Sequence, residues 1–394
     1  MSWDKAKISD ICSDIFDGPH ATPPVSKDGA IFLGISNITP DGHLDLSNPK
    51  YINEADLPKW TKRVTPLEGD IVFSYEATLN LYAIIPPGFH GCLGRRMALI
   101  RPNENKVLGK FLFYYFFSDE WRKTIAENTV IGATVDRIPL IRFPNFPVSY
   151  PSIEKQFKIV EVLSSYDDLI KNNRKQIKLL EEAAQRLYKE WFVDLRFPGH
   201  ETTPIVDGVP EGWKVRSLTE VANVVMGQSP KSEFYNREGK GLPFHQGVGS
   251  FGARFVIDST YSTSFTRIAE AGSILFSVRA PVGRLNITKN KVVIGRGLAA
   301  INHRAGKQSY LFYLLKERFF KDDIIGNGAI FASISKDELL GQKFMVPTDE
   351  IVDRFDAIVR DIDRKIAGLA DQIILLTEAR DRLLPKLMNG EIEV

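Results

Sequence analysis

The hydrophobic and polar positions of the chain follow two patterns. Short apolar runs of strand length, bounded by glycine and proline, recur in two separate regions. This punctuation is typical of β-strands joined by turns. The predicted strands are Ala30–Ile35, Asp70–Ser74, Met97–Ile100, Ser273–Val278 and Lys291–Ile294. Two aromatic-rich stretches, FLFYYFFSDEWRKTI and YLFYLLKERFF, predict helices inside the same regions.

Each mixed region is followed by a segment in which apolar residues recur at alternating steps of three and four. Such a heptad seam predicts a long helix that pairs with another helix. The first seam consists of Leu163, Tyr166, Ile170, Asn173, Ile177, Leu180, Ala184, Leu187 and Trp191. The second consists of Phe355, Val359, Ile362, Ile366, Leu369, Ile373, Leu376, Arg380, Leu383 and Leu387.

The length of the first seam favours pairing of the two helices over packing of each helix on its own domain. A helix from Ser152 to Trp191 spans about 60 Å at 1.5 Å per residue, which a small domain cannot cover. Asn173 and Arg380 interrupt the apolar seams. A polar residue at such a position either fixes the register of the pair or reaches solvent at its edge.

The chain is an internal repeat with a period of roughly 200 residues, far beyond that of solenoid proteins. Stretches of the first half return in the same order in the second half, and a duplicated unit favours an antiparallel helix pair. The matching stretches include GDIVFSYEA with GSILFSVRA, LGRRMALI with IGRGLAAI, and QIKLLEEAAQRL with QIILLTEARDRL.

These patterns predict an α+β protein with a pseudo-twofold internal repeat. Two similar mixed α/β domains are joined by two long antiparallel coiled-coil helices. The predicted boundaries are 1–151 for the first domain, 152–193 for the first helix, 194–212 for a linker, 213–347 for the second domain, and 348–389 for the second helix and tail.

The stretch LYKEWFVDLRFPGHE closes the first helix. Tyr188 and Phe192 lie off the seam, so they dock either on a domain end or on a partner. Pro198 ends the helical pattern before the second copy begins. Pro385 occupies the place that Lys189 holds in the first copy, which predicts a bend or frayed end in the second helix.

Composition is that of a folded soluble protein of two or three domains. The chain has 394 residues, a formal net charge of +2, and two cysteines, Cys12 and Cys92. So few cysteines predict a reducing, cytoplasmic location without a disulfide framework. No signal-peptide pattern and no membrane-length apolar run occur in the sequence. A charge near neutrality means that a DNA-binding role would need a partner to supply much of the phosphate contact.

Motifs of catalysis are missing from the sequence. It contains no Gly-x4-Gly-Lys-Ser/Thr phosphate loop, no Asn/Asp/Ser-Pro-Pro-aromatic tetrad of an amino-methyltransferase, and no paired His or Cys spacing for zinc. We therefore expect no catalytic, cofactor-binding or metal-binding residues in this chain.

The chain resembles the specificity subunit of type I restriction–modification enzymes. The resemblance rests on LLEEAAQRLYKEWFVDLRFPGHE followed by VPEGW at the join of the two copies, on GSILFSVRAPVG, IGRGLAAI and SISKDEL, and on the C-terminal DRLLPKLMNGEIEV. It covers essentially the whole chain. The first copy departs from it, because FSYEATLN lacks the arginine of FSVRAPVG.

This resemblance implies a non-catalytic subunit in which each domain reads one half of a bipartite target in double-stranded DNA. The helices set the gap and bind two modification subunits, which carry S-adenosylmethionine and methylate adenine. Restriction subunits add ATP- and Mg²⁺-dependent translocation and cleavage. Successive half-sites on one face of duplex DNA lie about 34 Å apart, a spacing that two domains on a stiff spacer can match.

Candidate DNA-contacting residues are those with suitable donors and acceptors on predicted loops and strand ends. In the first copy they are Ser74, Tyr75, Asn80, Arg95, Arg96, Thr134 and Arg137. In the second copy they are Lys231, Tyr235, His245, Gln246, Arg254, Arg279, Arg284, Arg296, Ser333 and Lys336. Each of them is alternatively a surface charge or a turn-stabilising residue, and Arg95 and Arg296 alternatively pair with carboxylates of their own domains.

Two other classes of protein remain open. The first is a protein-binding scaffold with two peptide-binding domains on a coiled-coil spacer. The second is a self-contained methyltransferase or nuclease, against which the missing motifs argue.

Overall fold

The computed structural model describes residues 3–132, 134–319 and 333–394. The candidates Ser333 and Lys336 belong to the stretch GAIFASISK, whose first five residues, 328–332, are not described. The chain forms two compact units. The first comprises residues up to Asn172 together with Gln372–Val394, and the second comprises Asn173–Asp371. Each unit contains one mixed domain and a part of each long helix.

In the first unit, strands and short helices lead into the first long helix, and the end of the second long helix completes the unit. Its strands are β1 (Asp4–Lys7), β2 (Cys12–Asp17), β3 (Ala30–Leu33), β4 (Lys50–Ile52), β5 (Ile71–Ser74), β6 (Tyr82–Ile84), β7 (Gly91–Leu93), β8 (Met97–Pro102) and β9 (Pro147–Tyr150). Its helices are α1 (Ile8–Ile11), α2 (Leu57–Trp60), α3 (Gly109–Tyr115), α4 (Asp119–Asn128) and α5 (Ile153–Tyr188), the last of which continues into the second unit.

Two sheets and a strand pair form the domain of the first unit. The larger sheet has the antiparallel order β2-β8-β5-β6, with Phe73 opposite Ala98. The smaller sheet has the order β4-β3-β7, in which β3 and β7 run parallel. Strands β1 and β9 pair next to the start of α5. The helices α3 and α4 cover the larger sheet through a core of aromatic side chains, where Trp121 Nε1 donates a hydrogen bond of 2.8 Å to Tyr82 Oη.

The second unit repeats this order of elements. Its strands are β10 (Ile205–Val206), β11 (Val209–Pro210), β12 (Lys214–Ser217), β13 (Ala222–Met226), β14 (Tyr235–Asn236), β15 (Leu242–His245), β16 (Tyr261–Ser262), β17 (Ile268–Ala269), β18 (Ile274–Ser277), β19 (Leu285–Ile287), β20 (Val292–Ile294), β21 (Leu298–His303) and β22 (Lys343–Val346). Its helices are α6 (Leu218–Val221), α7 (Gln308–Phe319), α8 (Lys336–Leu340) and α9 (Asp349–Met388).

The sheets of the second unit match those of the first. The order β13-β21-β18-β19 corresponds to β2-β8-β5-β6, and the parallel pair of β15 and β20 corresponds to that of β3 and β7. Strands β12 and β22 pair as β1 and β9 do. The predicted α+β class and the internal repeat are therefore confirmed.

The first aromatic run forms two helices where the sequence suggested one. Ser118 separates α3 from α4, because its Oγ caps α4 by accepting a hydrogen bond of 3.2 Å from the backbone N of Trp121. Serine is a favoured N-cap residue, because its side-chain oxygen accepts a hydrogen bond from a free backbone N–H of the first helical turn. The corresponding run in the second unit stays a single helix through Phe319.

The long helices pair in an antiparallel sense within each unit. In the first unit Ile159 and Leu163 of α5 share a core with Leu384 and Leu387 near the end of α9. In the second unit Ala184, near the end of α5, shares a core with Phe355 and Val359 near the start of α9. The predicted seam residues on both helices are buried or half-buried. Arg380 is 8% exposed, so it stays inside the pair and does not reach solvent.

The aromatic end of α5 packs on the domain of its own unit. The ring centroids of Tyr188 and Tyr310 are 6.3 Å apart, and those of Phe192 and Trp213 are 6.1 Å apart. Tyr188 is 4% exposed. Of the two roles considered for these aromatic residues, docking on a domain end is the one the structure shows.

The two long helices end differently. Helix α5 changes into a π-helical turn, Lys189–Val193, at the place that corresponds to Pro385. Helix α9 continues through Pro385 to Met388. The predicted frayed end is therefore absent from α9, and the irregular turn lies on α5 instead.

Candidate nucleic-acid interface

Four chain segments lie side by side at one edge of the domain in the second unit. Backbone hydrogen bonds join them in order: Ile334 N donates to Val278 O at 2.9 Å, Val278 N to Gly297 O at 2.9 Å, and Gly297 N to Gln246 O at 3.0 Å. The strand ends and the turns between them are thereby fixed to one another. We call this edge the second ladder.

The second ladder brings together four of the residues predicted from the sequence. Arg279 and Ser333 face each other in an antiparallel bridge, and Arg296 and Gln246 follow on the next two segments. All four are exposed. Although they lie far apart in the sequence, they share one surface because the turns after β15, β18 and β20 end at the same edge of the fold.

The two arginines of this surface, Arg279 and Arg296, are exposed cations. In the described part of the chain no carboxylate lies within ion-pair distance of Arg279 or Arg296. The alternative in which Arg296 pairs inside its own domain is therefore not seen. The backbone N of Arg296 donates to Ser229 Oγ at 3.2 Å. Ser229 was missed by sequence reasoning, although its polar turn GQSP follows the apolar stretch VANVVM, which was not predicted as a strand.

The first unit contains the equivalent ladder. Ile138 N donates to Tyr75 O at 2.7 Å, and Tyr75 N donates to Arg96 O at 3.2 Å. Glu76 and Arg137 form the bridge that corresponds to Arg279 and Ser333. The same edge of the fold is thus built twice, once in each unit.

The charges on the first ladder differ from those on the second. Arg95 and Arg137 are exposed, and among the residues placed in the structure neither has a carboxylate at ion-pair distance. Arg96 Nε lies 3.7 Å from Glu76 Oε1. Its backbone adopts a left-handed φ of 68°, a conformation that is uncommon outside glycine and often marks functional turns. Glu76 is therefore an acidic group where the second ladder has Arg279.

Ser74 and Tyr75 do not reach the surface, contrary to the prediction. Ser74 is 1% exposed and its Oγ donates to the carbonyl oxygen of Thr78, which holds the turn. Ser277 does the same in the second unit, donating to Pro281 O at 2.6 Å. Tyr75 is 6% exposed, and burial raises the pKa of its hydroxyl. Both predicted residues support the ladder from inside.

His245 is also internal. It is 1% exposed, and its Nε2 lies 3.0 Å from Asp258 Oδ1. Burial lowers the pKa of the imidazole, although Asp258 acts in the opposite direction. His245 is the last residue of β15 and points into the domain. The next residue, Gln246, is exposed.

Arg254 joins its domain to the long helices of the second unit. It is 4% exposed. Its Nη2 donates to Asp363 Oδ1 on α9, and its Nη1 lies 3.4 Å from Glu181 Oε1 on α5 and 3.3 Å from Tyr313 Oη. A guanidinium that is buried by these partners cannot contact a DNA base, so Arg254 is a structural residue.

In the first unit, the domain and the long helices also meet at an aspartate that is paired with an arginine, but the arginine comes from a different element. Tyr114 Oη donates to Asp167 Oδ2 at 2.5 Å, and Arg380 Nη1 donates to Asp167 Oδ1 at 2.6 Å. Tyr114 and Asp167 occupy the places of Tyr313 and Asp363. The arginine comes from α9 in the first unit and from a domain loop in the second.

The other predicted residues lie off the two ladders or beside them. Lys231 and Thr134 are exposed, and Lys231 Nζ is 3.9 Å from a carboxylate oxygen of Glu233. Lys336 is exposed at the first residue of α8, close in sequence to Ser333. For these residues, as for the exposed arginines of the ladders, DNA contact stays a prediction.

Three further predicted residues have roles inside their own loops. Asn80 has a left-handed φ of 60°, and its Oδ1 accepts a hydrogen bond of 3.3 Å from Tyr82 Oη. Tyr235 Oη donates to Pro230 O at 2.8 Å. Arg284 is half-buried, and its backbone N donates a hydrogen bond of 2.8 Å to Ser277 Oγ in the same turn.

Among the described residues there is neither a metal site nor a membrane segment. Within the described ranges no group of three or more His, Cys, Asp or Glu residues could hold a metal ion. The same residues include no helix that is long and apolar enough to cross a membrane. Cys12 and Cys92 are both free and buried.

The fold and its two ladders define a duplicated binding protein, in which one α/β domain occurs twice with paired long helices. Residues 24–182 and 210–373 match the family model of the type I restriction modification DNA specificity domain. The two matches cover more than half of the chain. The chain therefore belongs to the family of type I restriction–modification DNA specificity subunits.

Individual relatives agree with this family. A Methanocaldococcus jannaschii protein provisionally named the type I restriction enzyme MjaX specificity subunit is 30% identical over 407 residues, which cover 100% of this chain and 94% of the relative. The HindI specificity subunit of Haemophilus influenzae is 24% identical over 474 residues, with 99% of both chains covered. The solved S subunit of a type I restriction–modification system from M. genitalium shares the fold, with a TM-score of 0.57 and 16% identity over 98% of this chain and 96% of that chain.

Proposed function

We propose that this chain is the non-catalytic DNA-recognition subunit of a type I restriction–modification complex. The observation that carries the proposal is the duplicated ladder. Each family-matched half of the chain presents, on one edge, exposed arginines that have no carboxylate partner among the described residues. Arginine in such a setting suits both phosphate contact and bidentate reading of guanine.

Each ladder reads one half of a bipartite target. The two halves differ in sequence, since the ladders differ in chemistry. Glu76 offers an acceptor for the amino group of cytosine, whereas Arg279 at the corresponding place offers donors for guanine. A target with two unlike halves follows from this difference.

The long helices set the gap between the half-sites and bind two modification subunits. Their antiparallel pairing within each unit supports a stiff spacer. The net charge of +2 is small for a protein that holds DNA alone, so the partners supply much of the phosphate contact.

The reactions belong to the partners. The modification subunits bind S-adenosylmethionine and methylate adenine, and the restriction subunits use ATP and Mg²⁺ to translocate and cleave DNA. The complex is then an adenine-specific methyltransferase and a type I site-specific deoxyribonuclease, located in the cytoplasm. The sequence of this chain supports that division, because it lacks the phosphate-loop and methyltransferase motifs.

The test is a genome-wide map of methylated adenines in the source cell, with and without this gene. We expect one split motif, with two unlike halves, to lose methylation when the gene is deleted and to regain it on complementation. Complementation with the full-length gene carrying Arg279→Ala is the control, since it alters the second ladder and keeps both units complete.

An unchanged methylation map would contradict the proposal if the modification subunits are expressed. Binding of the purified complex to peptides, with no preference among DNA duplexes, would support the scaffold class instead. Methyl transfer by the purified chain alone would show that it is an enzyme.

A further inference from the structure

One connection in the first unit is longer than its counterpart in the second. Residues 53–70 join β4 to β5, and residues 263–273 join β16 to β18, so the first connection is seven residues longer. It contains α2, whereas residues 263–273, all of which the structure describes, include no helix. The first unit therefore carries an addition to the repeat.

Helix α2 is fixed on the smaller sheet of the first unit. Leu57 and Trp60 pack against the buried residues of that sheet. At the end of the helix, Thr61 Oγ1 donates to Leu57 O at 2.9 Å, and Val64 is buried in the domain. The chain from α2 to Val64 is thereby held in place at both ends.

A cleft of about 360 Å³ lies between this segment and the turn that follows β2. Residues 59, 60 and 62–64 form one wall, residues 17–21 form the other, and Leu93 completes the lining. All of these residues belong to the first unit.

The cleft adjoins the first ladder. Tyr75 N donates to Arg96 O, and Gly18 N donates to Met97 O at 2.9 Å, so the turn after β2 is the next segment in the order of the ladder. Neighbouring segments of this kind lie about 4.8 Å apart. The near wall of the cleft is therefore roughly 10 Å from the segment of Tyr75.

The far wall presents three exposed cations, Lys59, Lys62 and Arg63. Among the described residues, no carboxylate lies within ion-pair distance of either lysine. Lys59 Nζ lies 5.7 Å from the ring centroid of Trp60, and its side chain stays exposed. The two ammonium groups are accessible to a ligand in solution.

The carboxylate in the lining belongs to Asp17 and is already paired. Its Oδ2 lies 2.8 Å from His20 Nε2 and 3.2 Å from Arg63 Nη1, and the Arg63 side chain remains 54% exposed. Asp17 therefore offsets the charge of Arg63, and the two lysines leave the cleft with an excess of positive charge.

The sugar–phosphate backbone of DNA suits this wall. A lysine ammonium contacts phosphate as a point charge on a flexible stem, so it positions DNA without reading bases. A duplex that presents its major groove to the ladder has its backbone within reach of the cleft, because that groove is about 12 Å wide.

We propose that Lys59 and Lys62 bind the DNA backbone beside the half-site that the first ladder reads. This inference rests on the proposed function and adds an asymmetry to it. The corresponding connection in the second unit contains a single cation, Arg267. The first unit therefore makes more phosphate contacts beside its half-site than the second.

The first experiment measures the affinity of the assembled complex for a duplex with the split motif and for an unrelated duplex, over a series of salt concentrations. Lys59→Ala combined with Lys62→Ala should weaken both affinities about tenfold at physiological salt. The slope of log K against log salt should become shallower by about 1.8, because each lysine–phosphate contact contributes about 0.9.

Two further pairs of substitutions are the controls. Lys59→Arg with Lys62→Arg keeps both charges and should bind as the wild type does. Lys110→Ala with Lys123→Ala removes two exposed lysines from α3 and α4, outside the cleft. This pair changes the net charge equally and should leave the slope unchanged.

The second experiment assigns the contact to one half of the target. Uncharged methylphosphonate linkages replace phosphates next to one half-site or the other. Next to the half-site whose base preference changes in Glu76→Gln, they should weaken the wild type about tenfold and have little further effect on the double alanine variant. Next to the other half-site, they should affect both proteins equally.

Four results would overturn the proposal. An unchanged slope in the double alanine variant would show that the lysines do not contact DNA, and an equal change in the Lys110 and Lys123 control would show a general effect of charge. A loss confined to the motif duplex would mean that the lysines read bases. Loss of the modification subunits with unchanged DNA affinity would assign the cleft to a protein contact.

The proposed function is tested separately. Motif preference that persists in the variants leaves it intact under each of these four results. A wild-type complex without motif preference would contradict the proposed function, and the salt slopes on the unrelated duplex would still test the cleft.

Discussion

Arg380 Nη1 and Asp167 Oδ1 lie 2.6 Å apart within the first unit, with side chains that are 10% and 19% exposed. The pair connects α9 to α5, and Tyr114 of the domain donates to the other oxygen of Asp167. The domain and both helices of the unit thus meet at one carboxylate. The polar interruption of the apolar seam is thereby a buried ion pair that is satisfied by hydrogen bonds.

Replacing Arg380 by Ala should destabilise the protein by about 3 kcal/mol, because Asp167 would remain buried without its cation. Urea unfolding followed by circular dichroism measures this change. Arg382→Ala is the control, since Arg382 pairs with Glu378 on the exposed surface of the same helix, where ion pairs contribute little. Equal effects of the two substitutions would contradict the assigned role of the buried pair.

Arg279→Ala should weaken recognition in one half of the DNA target by about 1–3 kcal/mol. The guanidinium is exposed on the second ladder and has no carboxylate partner among the residues that the structure covers. Competition binding of the assembled complex to duplexes mutated in each half separately measures the effect.

Arg304→Ala is the matched control for Arg279. Arg304 follows the far end of β21, about 20 Å from the ladder at 3.3 Å per residue. An equal loss of affinity for every duplex would show that Arg279 contacts phosphate and not a base. Unchanged affinity would show that Arg279 does not contact DNA.

Glu76→Gln should alter base preference in the other half of the target only. The substitution keeps an acceptor but removes the charge that faces Arg96 at 3.7 Å, so Arg96 becomes free to contact DNA. Selection of bound duplexes from a randomised pool, with wild type and variant in parallel, would reveal the change. A change in the half that is affected by Arg279→Ala would contradict the assignment of one ladder to each half.

Stability should fall as the pH drops below about 6.5, the ordinary pKa of histidine. Burial lowers the pKa of His245 in the folded state, so the unfolded chain binds a proton first and stability is lost toward the lower folded-state pKa. Urea midpoints at pH 7.5 and 5.5 measure the loss. In His245→Gln the decrease between these two values should be smaller than in the wild type.

The two thiols should react slowly in the folded protein. Burial raises the pKa of Cys12 to about 12 and that of Cys92 to about 11, and the thiolate is the reactive form. A colorimetric thiol reagent at pH 8 should modify both cysteines within minutes in denaturant and neither at that rate without it. Fast reaction of the native protein would show that one of these cores opens readily.

Much of the architecture was predictable because it depends on local periodicity. The heptad steps predicted the paired helices, and the repeated stretches predicted two domains of one fold. The exposed arginines of the ladders were also predictable, since glycine-bounded turns at strand ends present long polar side chains to solvent. The split of the first aromatic run at Ser118 was missed, because one capping hydrogen bond ended a helix that the apolar pattern alone would have continued.

The sequence by itself determined the duplication, the helix seams and the residue types available at each turn. Only the tertiary structure decided which polar side chains face inward. Ser74 and His245 end strands and Arg254 lies in a loop. All three are polar residues near turns, like Arg279 and Arg296, yet these three are buried. The physical reason is that burial of a polar group depends on a partner far away in the chain, such as Asp363 for Arg254. Such a partner leaves no periodic signal in the sequence. Which candidate residues are exposed and which are buried structural residues is therefore visible only in the folded chain.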